Sequence, residues 1–452
     1  MMGPRQVAQA SLFYGFSIEE HVPSDHLLRR IDRFVDLSDI RRFLAPYYSP
    51  TGRPSVDPEL MIRMLIVGYC FGIRSERRLC DEVHLNLAYR WFCRLDLADP
   101  IPDHSTFSKN RHGRFRDSDL FRHLFEQVLA RCIAEGLVGG DSFGVDASLI
   151  SADACRFEKV EPEEWAPEKI TRAAQEYLDT LDDAAFGAAT PVRPKALSPS
   201  DPAARFTAAN GDRPFYAYST NYLVDLDHAV IVDVEATAPI RQAEAGAAMD
   251  MIERTRARFG LYPEKLVADT AYGSAEVLGW LVESEGIEPH IPVIDKSKRQ
   301  DGTFSREDFT YDRETDSYTC PDGKELLPGR RAFQTIRPAA KDDSSIRYRA
   351  SKADCAPCPL KPRCCPNMPQ RNVSRSIHEG ARDLAREITS SDAYVASAYA
   401  RKKVEMLFAH LKRILGVTRL RLRGPNGAKD EFLMAATVQN LRKLAMTLPA
   451  PA

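Results

Sequence analysis

The sequence predicts an α/β chain in which a mixed sheet is flanked by helices, an all-helical module precedes the sheet, and a cysteine-rich insertion interrupts it. Three observations carry this reading. Residues 24–135 repeat apolar side chains at helical spacing, with no strand-like alternation. From Gly140 the period changes to two, and strand and helix patterns then alternate to about residue 295, as a mixed sheet with helices on its faces requires. Five cysteines then fall between residues 320 and 365, ahead of two last helical patterns.

Composition narrows the function. At 452 residues the chain is long enough for two or three domains with sizeable cores. Sixty-two Lys and Arg against 64 Asp and Glu leave a net charge of -2, which excludes a generic basic coat for nucleic acid, so any DNA affinity must be local. No apolar run approaches a membrane span, and the N-terminus lacks a signal layout or a lipidation pattern, so a cytoplasmic location without membrane contact is expected. Ten cysteines in that setting imply reduced thiols or metal ligands.

After an ill-defined lead, helices are predicted from near Pro23, over 24–36, 57–72, 75–93 and 105–135, with capping starts at Ser24, Asp57, Ser75 and Ser105. The Pro-broken stretch before Ser105 is similar to a helix-turn-helix break. Ser105, Thr106, Lys109 and Arg111 at the start of the following helix are the side-chain types that phosphate and base-edge contacts require. A capped surface helix with no ligand explains the same residues.

The strand GDSFGVDASLIS places Asp146 within an apolar run. A carboxylate there costs several kcal/mol, roughly, to bury unless it is paired, metal-bound or hydrogen-bonded to nearby backbone. Residues 157–212 read as an insertion, with one exposed helix and a long loop whose Arg205 lies within reach of DNA. A hairpin follows (PFYAYSTNYLVD and HAVIVDVEAT), then a helix at 241–259, the strand KLVADTAYG, a helix at 274–285 and the strand EPHIPVI. Asp269 ends the apolar part of its strand, the place where open sheets collect ligands, and also a place where aspartate caps a turn.

The run Arg401–Arg423 reads as an amphipathic helix with an apolar stripe of Val404, Leu407, Phe408, Leu411, Ile414 and Leu415. It carries eight Lys or Arg and a single acid, Glu405. Arg401, Glu405 and Lys412 share nearly one face at about 3.6 residues per turn. Such a face meets polyanionic phosphate, or is a solvated helix with local ion pairs. After the GPNG turn, an apolar helix is expected to close the core.

VDAS around Asp146, VADTAYGS around Asp269 and ARKKVEMLFAHLKRILG around Glu405 resemble bacterial insertion-sequence transposases of the DDE type, whose last catalytic helix carries a tyrosine, an arginine, a glutamate and a lysine. Arg401, Glu405 and Lys412 match that helix; the tyrosine position is Ala398, with Tyr399 beside it. The resemblance implies a ribonuclease H-like catalytic core in two parts, 136–295 and 391–452, behind a helical DNA-binding module at 1–135. It implies catalytic Asp146, Asp269 and Glu405 holding two Mg²⁺ or Mn²⁺ ions, with Asp146 bridging them, and Arg401 and Lys412 on nearby phosphates. The partners it implies are the terminal inverted repeats of a transposon and the target DNA, bound by a homodimer. A catalytically silent DNA-binding relative and a stand-alone metal-dependent nuclease are the alternatives.

Within residues 296–390, Cys320, Cys355, Cys358 and Cys364 have the spacing of a four-cysteine zinc knuckle. Reduced thiols in a flexible insertion are the other reading.

Overall fold

The computed structural model describes residues 16–52, 54–166, 170–181, 196–208, 213–295, 301–328 and 345–448. The N-terminal part is helical: α1 (Ile18–His21), α2 (Leu27–Asp32), α3 (Ile40–Leu44), α4 (Pro58–Cys70), α5 (Glu76–Leu85), α6 (Leu87–Phe92), α7 (His104–His112), α8 (Arg114–Asp117) and α9 (Leu120–Ala134). There follow β1 (Ser142–Ser151), α10 (Arg172–Leu181), β2 (Arg205–Thr207), β3 (Phe215–Asp225), β4 (Val230–Thr237), α11 (Arg241–Phe259), β5 (Lys265–Val267), α12 (Ala275–Gly279) and β6 (Glu288–His290). The remainder is β7 (Thr310–Asp312), β8 (Ser317–Thr319), β9 (Glu325–Pro328), β10 (Ser345–Arg349), α13 (Lys352–Cys355), α14 (Lys361–Cys364), β11 (Asn372–Ser376), α15 (Glu379–Thr389), α16 (Asp392–Arg413) and α17 (Pro425–Thr447). Among the described residues no helix is long and apolar enough to cross a membrane.

Two compact units form: Met1–Gly139, Val145–Tyr262 and Lys403–Ala452 make the first, and Gly140–Gly144 and Pro263–Lys402 the second. In the first unit the expected helices appear, but they are broken more often than periodicity shows. Asp57 caps α4 through the Glu59 N–H, with Pro58 in the first turn, and Ser75 caps α5. The run 75–93 is then divided at Asn86, whose extended backbone ends α5 while its side chain accepts from the Ala88 and Tyr89 N–H groups to start α6. The run 105–135 is divided at Gly113 and again at Asp119, which adopts a left-handed φ of 54°. His26 rather than Ser24 caps α2, and Asp103 rather than Ser105 caps α7. The break before α7 runs from Cys93 to Asp103, far longer than the three or four residues, roughly, of a helix-turn-helix turn.

The predicted hairpin is present: β3 and β4 pair antiparallel, with a register shift between Leu223 and Val224. β1 lies along the other edge of β3, where the Ala152 N–H donates to the Tyr216 carbonyl at 2.8 Å. α17 is buried along most of its length and packs on α9, β4, α4 and α2, closing the core as expected. α16 enters the same core through Phe408, which stacks on Tyr222 with centroids 4.7 Å apart. The expected helix over Arg401–Arg423 stops at Arg413. Gly416 turns the chain with φ 67°, and the following segment bonds to the end of β1, Ser151 N–H to the Thr418 carbonyl and Leu420 N–H to the Ser151 carbonyl. α10 was expected to be exposed; instead Ala173, Ala174 and Tyr177 are buried and Glu176 pairs with Arg116 at 2.8 Å. Residues 182–195 of the predicted insertion lie outside the described residues.

In the second unit the first residues of β1 pair in parallel with β5, Ser142 with Lys265 through Gly144 with Val267, and β5 pairs in parallel with β6. α12 continues as a π-helical stretch from Trp280 to Glu285, and α15 packs on α12 and β6. The cysteine-bearing segment builds an antiparallel sheet of its own, in the order β11-β10-β9-β8-β7, over a small core that includes Phe309, Tyr318, Leu326 and Tyr348.

Candidate active site

Asp146 sits mid-strand in β1, half-buried, and its Oδ1 accepts from the Ala147 N–H at 2.8 Å. Asp269 stands two residues beyond β5 and caps the short turn Thr270–Tyr272, its Oδ1 accepting from the Ala271 N–H at 2.8 Å. The local backbone contacts weighed for both aspartates are therefore present. They fix one oxygen of each carboxylate and thereby orient the group. The turn after Asp269 depends on Gly273: a Cβ there would stand 2.0 Å from the Pro292 carbonyl oxygen, and the Gly273 carbonyl accepts from Ile294 at 2.8 Å. Glu405 projects from an exposed position of α16. Asp146 and Glu405 belong to the first unit and Asp269 to the second. Among the described residues no three His, Cys, Asp or Glu side chains are gathered as a metal-binding group.

The cations around Glu405 differ in availability. Lys412 is half-buried, and burial lowers its ammonium pKa. Arg401 is half-buried, and Lys402 lies over the exposed ring of Tyr399 at 4.9 Å. Lys403 donates to the Leu226 and Asp227 carbonyls. Arg419 and Arg423 both pair with Asp153, at 3.0 and 2.9 Å. Nothing in the short loop after β1 marks Asp153 in sequence as the anchor of two distant arginines.

In the helical module, Ser105 and Lys109 are exposed on α7 and Thr106 is half-buried. The Asp103 carboxyl takes the Ser105 hydroxyl and N–H, and these bonds hold its pKa below the usual range. An acid therefore already stands where a phosphate would meet the start of this helix. Arg111, expected at DNA, is only 4% exposed; it pairs with Glu76 at 3.2 Å and bonds the Tyr69 hydroxyl at 3.3 Å, so its guanidinium serves the core.

Among the buried carboxyls that the sequence reading does not single out, two have pKa values raised by burial. Asp201 accepts from the Tyr218 hydroxyl at 2.7 Å, and burial pushes its pKa up to about 6. Asp430 is pushed up to about 8 by burial, against the opposing Arg116 and Arg111 charges. Neither had a sequence signal, since Asp430 lies in the polar triplet Lys429-Asp430-Glu431 ahead of the apolar run FLMAATV and Asp201 lies in a loop.

Residues 16–113 match the family described as Transposase domain (DUF772), and residues 319–445 match the family described as Transposase DDE domain. Together the two matches support an insertion-sequence DDE transposase. No curated protein matches it. Within the transposase, the DDE match spans Glu405, Arg401, Lys412 and the cysteines from 320 to 365, while Asp146 and Asp269 precede it. Ser105, Thr106, Lys109 and Arg111 fall in the first match.

Proposed function

We infer that this transposase cleaves the ends of its element and joins them to target DNA, with Asp146, Asp269 and Glu405 as the catalytic carboxylates. The observation that carries the reading is strand register: Gly144 pairs with Val267 on parallel strands, and Asp146 and Asp269 follow these two residues by two positions each. The hairpin β3–β4 beside β1, and the parallel run of β1, β5 and β6, support a ribonuclease H-like core.

Three hard oxygen donors suit Mg²⁺ or Mn²⁺. Bound ions would activate the attacking oxygen and steady the leaving oxygen. Asp146 and Asp269 enter that role already oriented by their backbone bonds. Arg401 and Lys412 would hold neighbouring phosphates, and the loss of solvent around Lys412 strengthens any ion pair it makes. The exposed Ser105 and Lys109 remain as contacts of the helical module, with Thr106 at its edge. Two such chains, one at each element end, would act together as a homodimer.

The test is Mg²⁺-dependent cleavage of duplex DNA carrying the ends of the element, by wild type and by Asp146→Asn, Asp269→Asn and Glu405→Gln. Each substitution is expected to lower cleavage by at least about a hundredfold while end binding persists. Full cleavage by any one of them would overturn the assignment of that residue. Binding without cleavage in the wild type would point to a silent DNA-binding relative, and degradation without joining to a stand-alone nuclease.

A further inference from the structure

Five of the ten cysteines, Cys320, Cys355, Cys358, Cys364 and Cys365, line one pocket of the second unit. It has a volume of about 20 Å³, room for one water-sized or ion-sized occupant. The other five thiols are distributed differently. Cys70, Cys80, Cys93 and Cys132 are buried among the N-terminal helices, and Cys155 is exposed.

Each side of the pocket is built by a separate turn. At the tip between β8 and β9, the Cys320 N–H donates to the Lys324 carbonyl and the Gly323 N–H to the Cys320 carbonyl, both at 2.8 Å, and Gly323 supplies the left-handed residue with φ 75°. The Lys324 N–H then donates to the Cys320 sulfur at 3.3 Å. Cys355 closes α13 and Cys358 follows three residues later, its carbonyl accepting from Lys361. Cys364 ends α14, where the Arg371 guanidinium holds its carbonyl at 3.0 Å. Lys324, Lys361, Arg371 and Asp354 also line the pocket, so three cations and one acid surround the five sulfurs.

The surrounding sheet has little else to hold it: its strands are three to five residues long, and two of its eight core residues are Cys364 and Cys365.

We propose that this pocket is a structural zinc site, in which Cys320, Cys355, Cys358 and one member of the Cys364–Cys365 pair hold a single Zn²⁺. Four thiolates match the tetrahedral preference of the ion. Four S–H protons pass to solvent as four S–Zn bonds form, and no electron moves. The resulting double negative charge is offset by Lys324, Lys361 and Arg371. Because the described sulfurs are not yet gathered at metal-binding separation, binding draws the Cys320 tip and the Cys355–Cys358 corner inward. The site is separate from the carboxylates assigned to cleavage, and its test does not depend on DNA.

The experiment is elemental analysis of the full-length chain, purified reduced and exchanged into Zn²⁺-free buffer. About one zinc per chain is expected in the wild type, in Cys155→Ser, and in Cys364→Ser and Cys365→Ser taken singly. Cys355→Ser, Cys358→Ser and the double Cys364→Ser/Cys365→Ser are each expected to lose it. Less than about half a zinc in the wild type, or full zinc in the double variant, would overturn the proposal. Should the variants fail to fold, Co²⁺ exchanged into the wild type decides: the sulfur-to-metal and d–d bands of tetrahedral thiolate cobalt are expected, and their absence would overturn it. A chain two hydrogens lighter per bridge with no metal would show a disulfide pocket instead, and would equally overturn it.

Discussion

Asp430 is 5% exposed on α17, with Oδ2 buried and without a hydrogen-bond partner among the described residues, and its folded pKa lies near 8 rather than near 3.8. The folded chain therefore keeps a proton that the unfolded chain releases in the interval between those values. There the unfolded state binds fewer protons, so this group lowers stability as pH rises from about 4 to about 8, with no further change above. Asp430→Asn removes that slope. Urea denaturation at pH 5 and pH 8 should show the variant gaining on the wild type by a few kcal/mol, roughly, between the two pH values. An equal difference at both would show that Asp430 is ionised throughout. Arg111 teaches the complementary lesson. Its place beside Ser105, Thr106 and Lys109 in sequence suggested DNA, but helical rotation turns it into the core, where Glu76 and Tyr69 receive it.

At the scale of elements, what repeats regularly was legible. α4, α11 and the β3–β4 hairpin fall close to their expected bounds because each is a long run of one period with a clear cap or turn. The interruptions at Asn86, Gly113 and Asp119 were not legible, since apolar spacing continues across them while the backbone leaves the helix. The cysteine segment hid its sheet for a related reason: strands of three to five residues show too little alternation to detect. Another feature invisible in sequence is how α17 joins β4. Asn440 accepts from the Ile231 N–H at 3.0 Å and donates to the Ile231 carbonyl at 2.8 Å, taking the part of a neighbouring strand just beyond the register shift. Asn440→Ala leaves both backbone groups buried without that partner and should cost on the order of 2–4 kcal/mol. Asn440→Asp keeps the acceptor but loses the donor and buries a charge, so it should cost at least as much. Chemical denaturation midpoints check both, and a neutral Asn440→Ala would mean that β4 does not depend on this bond.

For the molecule as a whole, a net charge of -2 sets the terms on which a transposase meets DNA. Attraction must come from a few cations in defined places, and the structure reduces their number further. Of the eight in Arg401–Arg423, Lys403, Arg419 and Arg423 are held by carbonyls or by Asp153. The sequence showed this basic run but not its division, because the acceptors lie more than a hundred residues away along the chain. Arg413 and Arg421, by contrast, are exposed in the first unit. Each phosphate contact contributes about 0.9 to the slope of log affinity against log salt. Duplex binding by the full chain should therefore fall with a slope of roughly -3 to -5, the mark of about four or five contacts. The double variant Arg413→Ala/Arg421→Ala should flatten that slope by about 2 and weaken binding about equally on every sequence, with an unchanged unfolding midpoint. A slope of roughly -8 or steeper, or one untouched by the double variant, would move the DNA path away from the Glu405 helix and the segment after it, and would leave Ser105 and Lys109 on α7 as the first place to look.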